Sequence, residues 1–288
     1  MATSAFASRT RARSKLMPLE EAAAMVRDGD LLALGGNVLH RAPMAFVREL
    51  IRQGKRRLGV VKTAGAHDID LLCAAGCVET VNAGFVSYET EFGLAAHYRK
   101  AVESGEVRAN EHACYTVISA LRAAASGAPF MPVIGFRGTD LIRENDDFRV
   151  IPDPFGGEPV TVVRAIVPDW AVIHVQEADE TGNAVIHGPK YEDVLMSRAA
   201  RKVIITAERI VSAGHWQRQP TLVDIPGFLV EAVVHAPRGA APGSCDRMYD
   251  ADLMALAKFM KLERKDIPAY VAQHERADRS GRKAVIRI

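Results

Sequence analysis

Gly35 and Gly36 close a short apolar run, Leu31-Leu32-Ala33-Leu34, and Asn37 follows them. Glycines at such a place let a chain approach a ligand closely and turn backbone N–H groups toward an oxyanion or a phosphate. Gly35, Gly36 and Asn37 are therefore candidates to line a binding pocket; the plain alternative is an ordinary strand-to-helix turn. The dinucleotide fingerprint G-x-G-x-x-G is absent, and Lys62 and Thr63 stand where an acidic ribose ligand would be needed. Arg41 lies in the same segment and could grip a substrate carboxylate through two parallel N–H bonds. Its alternative is a surface arginine that caps a loop. Ser87 and Glu89, in Ser87-Tyr88-Glu89-Thr90-Glu91, follow an apolar run and precede a helical pattern. Glu89 could position substrate or act as a base toward water, or simply be an acid favoured at a helix start.

Other chemistries find little support. The nine histidines are scattered, and no H-E-x-x-H or comparable metal spacing occurs, so no metal site is expected. Each histidine is read as structural. Cys73, Cys77, Cys114 and Cys245 are too few and too irregular for a disulfide framework or a zinc ribbon. Cys73, inside Leu71-Leu72-Cys73-Ala74-Ala75, reads as a buried thiol. No G-x-S-x-G elbow is present, which disfavours a lipase-type serine hydrolase.

The elements that must hold these residues alternate. Helical spacing over 19–26, a strand at 31–34, and a helix opening at Pro43 with Met44, Val47, Leu50 and Ile51 on one face come first. Strands at 58–61 and 78–81 alternate with helices carrying Leu71 and Leu72, then Leu94, Tyr98 and Val102, then 114–125. Asp68 or Asp70 can cap the first of these helices. Residues 127–159 are rich in Pro and Gly and read as loop with short strands. β-rich runs follow at 160–167, 171–175 and 183–187, with strong turn residues at 179–183, and are read as antiparallel or mixed strands. A helix over 191–201, strands at 202–206 and 230–235, and an amphipathic helix over 250–260 complete the pattern. The fold class is α/β: an open, mainly parallel twisted sheet flanked by helices, with a mixed or antiparallel β-rich portion in the second half. Ligands in such folds gather beyond the carboxyl ends of the strands.

The chain has 288 residues, 48% hydrophobic and 25% charged, with a net charge of +2. That is a globular balance. It excludes a disordered chain and a surface that tracks nucleic acid. No uninterrupted apolar window reaches membrane-spanning length. The charge is uneven: Arg9, Arg11, Arg13 and Lys15 face no acid in residues 1–16, and residues 258–288 hold nine Lys/Arg against four Asp/Glu. The expected organisation is a basic flexible tail over 1–16, one domain over 17–250, and a C-terminal helix with a basic tail over 251–288. The N-terminus lacks the apolar core of a secretory signal, so a cytoplasmic location is expected.

The run Asp28-Gly29-x-x-Leu32-Ala33-Leu34-Gly35-Gly36, with a proline shortly after it, resembles the signature of the A (alpha) subunit of family I CoA-transferases, glutaconate CoA-transferase branch. Further segments agree in order: Met44 to Leu50, Gly84 to Glu89, Arg99 to Glu103, Pro129 to Pro132 followed by Gly138-Thr139-Asp140, and Pro226 to Val230. Together they cover residues 17–250. Two positions depart from the signature: Asn37 stands where the family has Phe, and Arg41 where it has Gly.

The resemblance implies a mechanism with its nucleophile elsewhere. In this family a glutamate of the B (beta) subunit, within Ser-Glu-Asn-Gly, attacks the acyl-CoA thioester. That tetrapeptide is absent from the chain. The implied partner is thus a B subunit in a hetero-oligomer of AB pairs, with no catalytic residue in this chain, coenzyme A as a substrate, and no permanent cofactor. Gly35, Gly36, Asn37, Arg41, Ser87 and Glu89 would help wall the CoA and acyl pocket, with a dicarboxylate acceptor for Arg41. Two alternatives remain. Relatives of the steroid-ring-degradation type hydrolyse a CoA-linked ring with an A-chain carboxylate, which would bring forward Glu89, Glu91 or Glu111. The other is a non-catalytic acyl-CoA-binding subunit.

Overall fold

Strands form where β-branched and leucine runs are bounded by turn residues, and helices where apolar residues recur every three or four positions. In the computed structural model, which describes residues 13–135 and 138–281, the order is α1 (Leu19–Ala24), β1 (Leu31–Leu34), α2 (Met44–Arg52), β2 (Leu58–Gly65), α3 (His67–Ala74) and β3 (Val78–Val86). Then come α4 (Glu89–Phe92), α5 (Ala96–Glu103), β4 (Arg108–Glu111), α6 (Cys114–Ala125), β5 (Phe130–Val133), α7 (Leu141–Glu144), β6 (Phe148–Ile151) and β7 (Val160–Arg164). The second half holds β8 (Trp170–Asp179), β9 (Ala184–Val185), α8 (Asp193–Ala199), β10 (Lys202–Val211), β11 (Val230–His235), α9 (Leu253–Phe259), α10 (Ile267–Gln273) and α11 (Glu275–Asp278).

The main sheet runs β11-β10-β8-β1-β2-β3-β4, with β9 added to β8. Every pair along this path is parallel, and only β9 runs antiparallel. From β1 the chain winds outward through β2, β3 and β4. It then returns to the other side of β1 through β8, β10 and β11. The winding reverses between β1 and β8, which is where a crevice forms at the strands' carboxyl ends. The expected α/β class, with a mainly parallel sheet and a smaller antiparallel portion, holds.

The second half departs from its expected pairing in detail. Residues 160–164 join β5 and β6 in a separate antiparallel sheet. Residues 170–179 instead form an inner strand between β1 and β10. All but one residue of β8 are buried. A strand covered on both faces loses the alternation that separates inner from outer strands in sequence.

Alternate residues feed two cores. Leu32, Leu34, Val60 and Ala64 pack with Phe46, Leu50, Leu72 and Phe259 on one face. Ala33, Val61, Ile173 and Ile205 pack with Val117, Leu121 and Met196 on the other. Pro43 is the cap of α2, not its first helical residue. Neither Asp68 nor Asp70 is the cap expected for α3: Ala66 holds the N-cap position with no side-chain cap bond, and Asp68, second in the helix, accepts the N–H groups of Ala66 and Ile69.

Residues 1–12 of the expected N-terminal tail, and 282–288 of the C-terminal one, lie outside the described residues. Lys15 is held in place: its Nζ donates to the carbonyls of Gly227 and Val230, each at 2.7 Å. Leu16 pairs with Val233 of β11. At the other end, α9 is shorter than the expected helix, and α10 and α11 follow it. Asp278 ties them to the body by accepting from Arg48 Nε at 2.8 Å and Arg48 NH2 at 2.5 Å. No described helix is long and apolar enough to cross a membrane.

Leu121 is fully buried in the second core. Leu121→Ala is expected to lower unfolding free energy by about 2–5 kcal/mol, read from urea denaturation, because the cavity only partly collapses.

His67 is buried between the hydroxyls of Tyr88 and Tyr270. Burial, then the nearby Arg48 charge, holds it well below the ordinary histidine range. The same causes push His274 down to about 4. Both are neutral in the fold where the unfolded chain would already be protonated, so stability falls as pH drops below about 6.5. A lower urea midpoint at pH 5 than at pH 7 is expected, with a smaller difference in His274→Gln.

Candidate active site

The segment after β1 folds back on itself. Gly35 N–H donates to the Val172 carbonyl at 2.9 Å, which keeps it in step with β8. Gly36 has φ +73°, and a Cβ there would lie 2.2 Å from the His40 carbonyl oxygen. Asn37 and His40 exchange backbone hydrogen bonds at 2.9 and 2.7 Å, closing a tight turn. Val38 and Arg41 also take left-handed backbone conformations, at φ 47° and 55°. Glycine is needed at 36 because the protein's own backbone passes there.

Asp193, the first residue of α8, is the hub of this turn. Its Oδ1 accepts the Gly36 N–H at 2.7 Å. Its Oδ2 accepts Arg41 NH1 at 2.6 Å. Arg41 also donates to the carbonyls of His174 at 3.0 Å and Pro189 at 2.7 Å. The Tyr191 ring lies 5.7 Å from the guanidinium carbon. Arg41 and Asp193 are almost wholly buried. The pair fills the crevice between β1 and β8.

This corrects two expectations. The N–H groups of Gly35, Gly36 and Asn37 are all taken by protein acceptors, so none is free to point at a ligand. Arg41 is neither a surface cap nor a free grip for substrate: the carboxylate it holds is the protein's own. Both follow from the tight turn, which needs its donors internally satisfied once it is buried.

Lys62 is paired in the same way beneath the other face. Its fully buried ammonium donates to the Gly35 carbonyl at 2.9 Å and to Asp68 Oδ2 at 2.6 Å.

The loop after β3 is built around Tyr88, whose buried hydroxyl donates to Asp70 Oδ2 at 3.1 Å. Ser87 Oγ accepts the Glu89 N–H at 2.9 Å and donates to the Gly93 carbonyl at 2.9 Å. Ser87 is thus a turn residue. Glu89 opens the short α4 helix at φ 57°, and its side chain, like that of Glu91, is exposed. Glu111, also exposed, ends β4.

Sequence reasoning missed the most convergent group. Thr63 of β2 donates its hydroxyl to Glu192 Oε2 at 2.7 Å. Cys114, the first residue of α6, sits with Sγ 3.4 Å from the Thr63 carbonyl. A Cβ on Gly84 would meet the Cys114 nitrogen at 2.5 Å, so glycine lets α6 dock against β3. Burial, then the Glu192 carboxylate, raises the Cys114 thiol pKa, which keeps it protonated and a poor nucleophile. The available signal was Tyr191-Glu192-Asp193, a charged turn before a helix on the same rim as Gly35-Gly36.

Among the described residues, His174, Glu208 and Cys245 bring ligand-type atoms within 4.8 Å of one another. The geometry is that of a hydrogen-bonded lock. His174 meets Glu208 Oε1 at 2.9 Å and Thr206 Oγ1 at 2.9 Å. Glu208 also accepts from Tyr249 and from the Arg238 N–H. The Cys245 thiol is pushed up to about 12 by burial and the Glu208 charge.

The pattern of the coenzyme A transferase family matches residues 16–236. The chain belongs to that family. It is 35% identical over 268 residues to the A chain of glutaconate CoA-transferase from Acidaminococcus fermentans, covering 87% of this chain and 84% of that one. It superposes on the crystal structure of glutaconate coenzyme A-transferase from that organism with a TM-score of 0.85 at 34% identity, covering 90% and 88%. A cholesterol ring-cleaving hydrolase IpdA subunit of Rhodococcus jostii is 33% identical over 237 residues, covering 79% of this chain and 80% of that one. An uncharacterised protein of Archaeoglobus fulgidus is 38% identical over 254 residues, and the match spans 88% of this chain but 57% of that protein. The resemblance carried by the motifs therefore holds, and the chain is a homologue of CoA-transferase A subunits.

Removing Asp193 strands a buried guanidinium and frees the Gly36 N–H. Asp193→Ala is expected to destabilise the protein by about 3–5 kcal/mol in denaturant titrations, more than a surface substitution would. A loss below about 1 kcal/mol would show the pair is not the hub described.

Proposed function

We propose that this chain is the A subunit of a two-chain acyl-CoA:carboxylate CoA-transferase. It moves coenzyme A between a donor thioester and a small carboxylate acceptor. The observation that carries this reading is the family match over residues 16–236, joined to the absence of Ser-Glu-Asn-Gly from the chain. The nucleophilic glutamate then belongs to a B subunit. Its attack on the thioester forms an acyl anhydride and releases CoA thiolate, which returns to give a glutamyl-CoA thioester and the free acyl carboxylate. The acceptor carboxylate then takes the CoA by the reverse sequence.

This chain supplies one wall of the pocket at the carboxyl ends of β1, β2 and β3. Gly35, Gly36 and Arg41 fix the wall's shape from behind. Asn37, Ser87 and Glu89 stay at its edge, and Thr63, Cys114 and Glu192 form its floor. The site is organised as one continuous α/β domain over 17–250 with a C-terminal extension. Coenzyme A is a substrate, and the enzyme works in the cytoplasm as AB pairs.

A second reading has its own support: Glu192 is an A-chain carboxylate on that floor, and a ring-cleaving hydrolase subunit is among the relatives. One experiment separates the two. The chain is co-expressed with a B-type chain, and the complex is treated with borohydride with and without acyl-CoA. Inactivation only with acyl-CoA is expected, since borohydride reduces the glutamyl-CoA thioester. Undiminished turnover would overturn the transferase reading in favour of hydrolysis. The isolated chain is expected to show no transferase activity; full turnover by it alone would reject the two-chain proposal.

A further inference from the structure

Glu192 is half-buried on this floor, and the described residues hold only one of its two oxygens. Oε2 accepts the Thr63 hydroxyl at 2.7 Å. Oε1 receives no hydrogen bond from any described residue, and no described cation forms an ion pair with this carboxylate. The two buried cations beneath the rim are neutralised elsewhere, Arg41 by Asp193 and Lys62 by Asp68. Thr63 is itself buried on an inner strand, so Glu192 is held against the sheet and not free to swing into solvent. Thr63 links the carboxylate to the α6 side of the same floor, since its carbonyl lies 3.4 Å from Cys114 Sγ.

An acyl group reaching this floor meets a fixed negative charge with one vacant acceptor oxygen. A second carboxylate on the substrate would be repelled, because like charges in a partly dry pocket interact strongly. A hydroxyl or other donor would be held, because it satisfies Oε1. Resting on the transferase reading, we infer that Glu192 is the specificity-determining residue of the acyl pocket. It selects monocarboxylic acyl groups that carry a hydrogen-bond donor and rejects dicarboxylates. This runs against the dicarboxylate acceptor expected for Arg41, whose charge is already taken.

The test uses the co-expressed two-chain complex, butyryl-CoA as donor, and 3-hydroxybutyrate, butyrate and glutarate as acceptors. The wild-type order of kcat/KM is expected to be 3-hydroxybutyrate, then butyrate, then glutarate. Glu192→Gln keeps an amide oxygen for the Thr63 hydroxyl and removes the charge. It is expected to raise the glutarate-to-butyrate ratio by about tenfold, mostly through KM for glutarate. A role limited to holding Thr63 would leave that ratio unmoved. A wild-type preference for glutarate, or an unchanged ratio in an active Glu192→Gln complex, overturns the inference while leaving the transferase reading intact. If the wild-type complex transfers CoA to no acceptor, that reading fails instead. The inference is then judged by calorimetric binding of 3-hydroxybutyrate and glutarate to the wild-type complex, where equal or tighter glutarate binding rejects it.

Discussion

The Asp193 carboxylate is the point on which the site's geometry turns. One oxygen holds the Gly36 N–H and the other holds Arg41, so one side chain joins the end of β1 to the start of α8. The sheet reverses its winding between β1 and β8, and there the connections to neighbouring strands leave in opposite directions. Such a crevice must be filled by ligand, water or protein. Here an ion pair fills it. A buried pair of this kind adds little net stability over an apolar filling, because both charges are stripped of water. What it imposes is position: the hydrogen bonds are directional, and breaking either partner leaves a charge without solvent.

Position then propagates. Because Asp193 is fixed, Tyr191 lies beside Arg41, and Glu192 is brought to Thr63 on the opposite side of the β1 end. Because Gly84 carries no side chain, α6 comes down onto β3 and sets Cys114 beside the same threonine. Three elements distant in sequence thus meet on one floor. A second lock acts on the other flank, where Glu208 gathers His174, Tyr249 and the Arg238 backbone. It anchors the segment that follows β11 against β8 and β10. The floor lies on the β2 and β3 side of these two polar anchors, both satisfied by the protein itself.

The alternating pattern of strands and helices was legible because each short apolar run is bounded by residues with one conformational preference. Leu31 to Leu34 ends in two glycines, and Cys114 to Ala125 keeps its apolar residues on one helical face. The pairing of 160–164 against 170–179 was not legible. Both runs are β-rich, and which sheet each enters depends on burial of both faces of β8, a property of its neighbours. The roles of two candidate residues were partly misread. Gly36 pointed to a close approach, and the structure supplies one, but the approaching group is the His40 carbonyl. Arg41 pointed to a carboxylate, and the carboxylate is Asp193. Residue type specifies what a group must meet; it does not say whether the partner comes from the ligand or from the chain.

By itself the sequence determined the fold class, the family, and the want of a Ser-Glu-Asn-Gly nucleophile, since each rests on local pattern or on motifs that keep their order along the chain. Only the tertiary structure decided which charges remain unpaired. Arg41, Lys62 and Glu192 look equally available in the sequence. Folding gives the first two carboxylate partners in contact and leaves the third without a cation among the described residues. The reason is physical: Coulomb and hydrogen-bond partners are chosen by separations of about 3 Å in space, and residues 41 and 193, or 63 and 192, share no neighbourhood until the sheet brings them together.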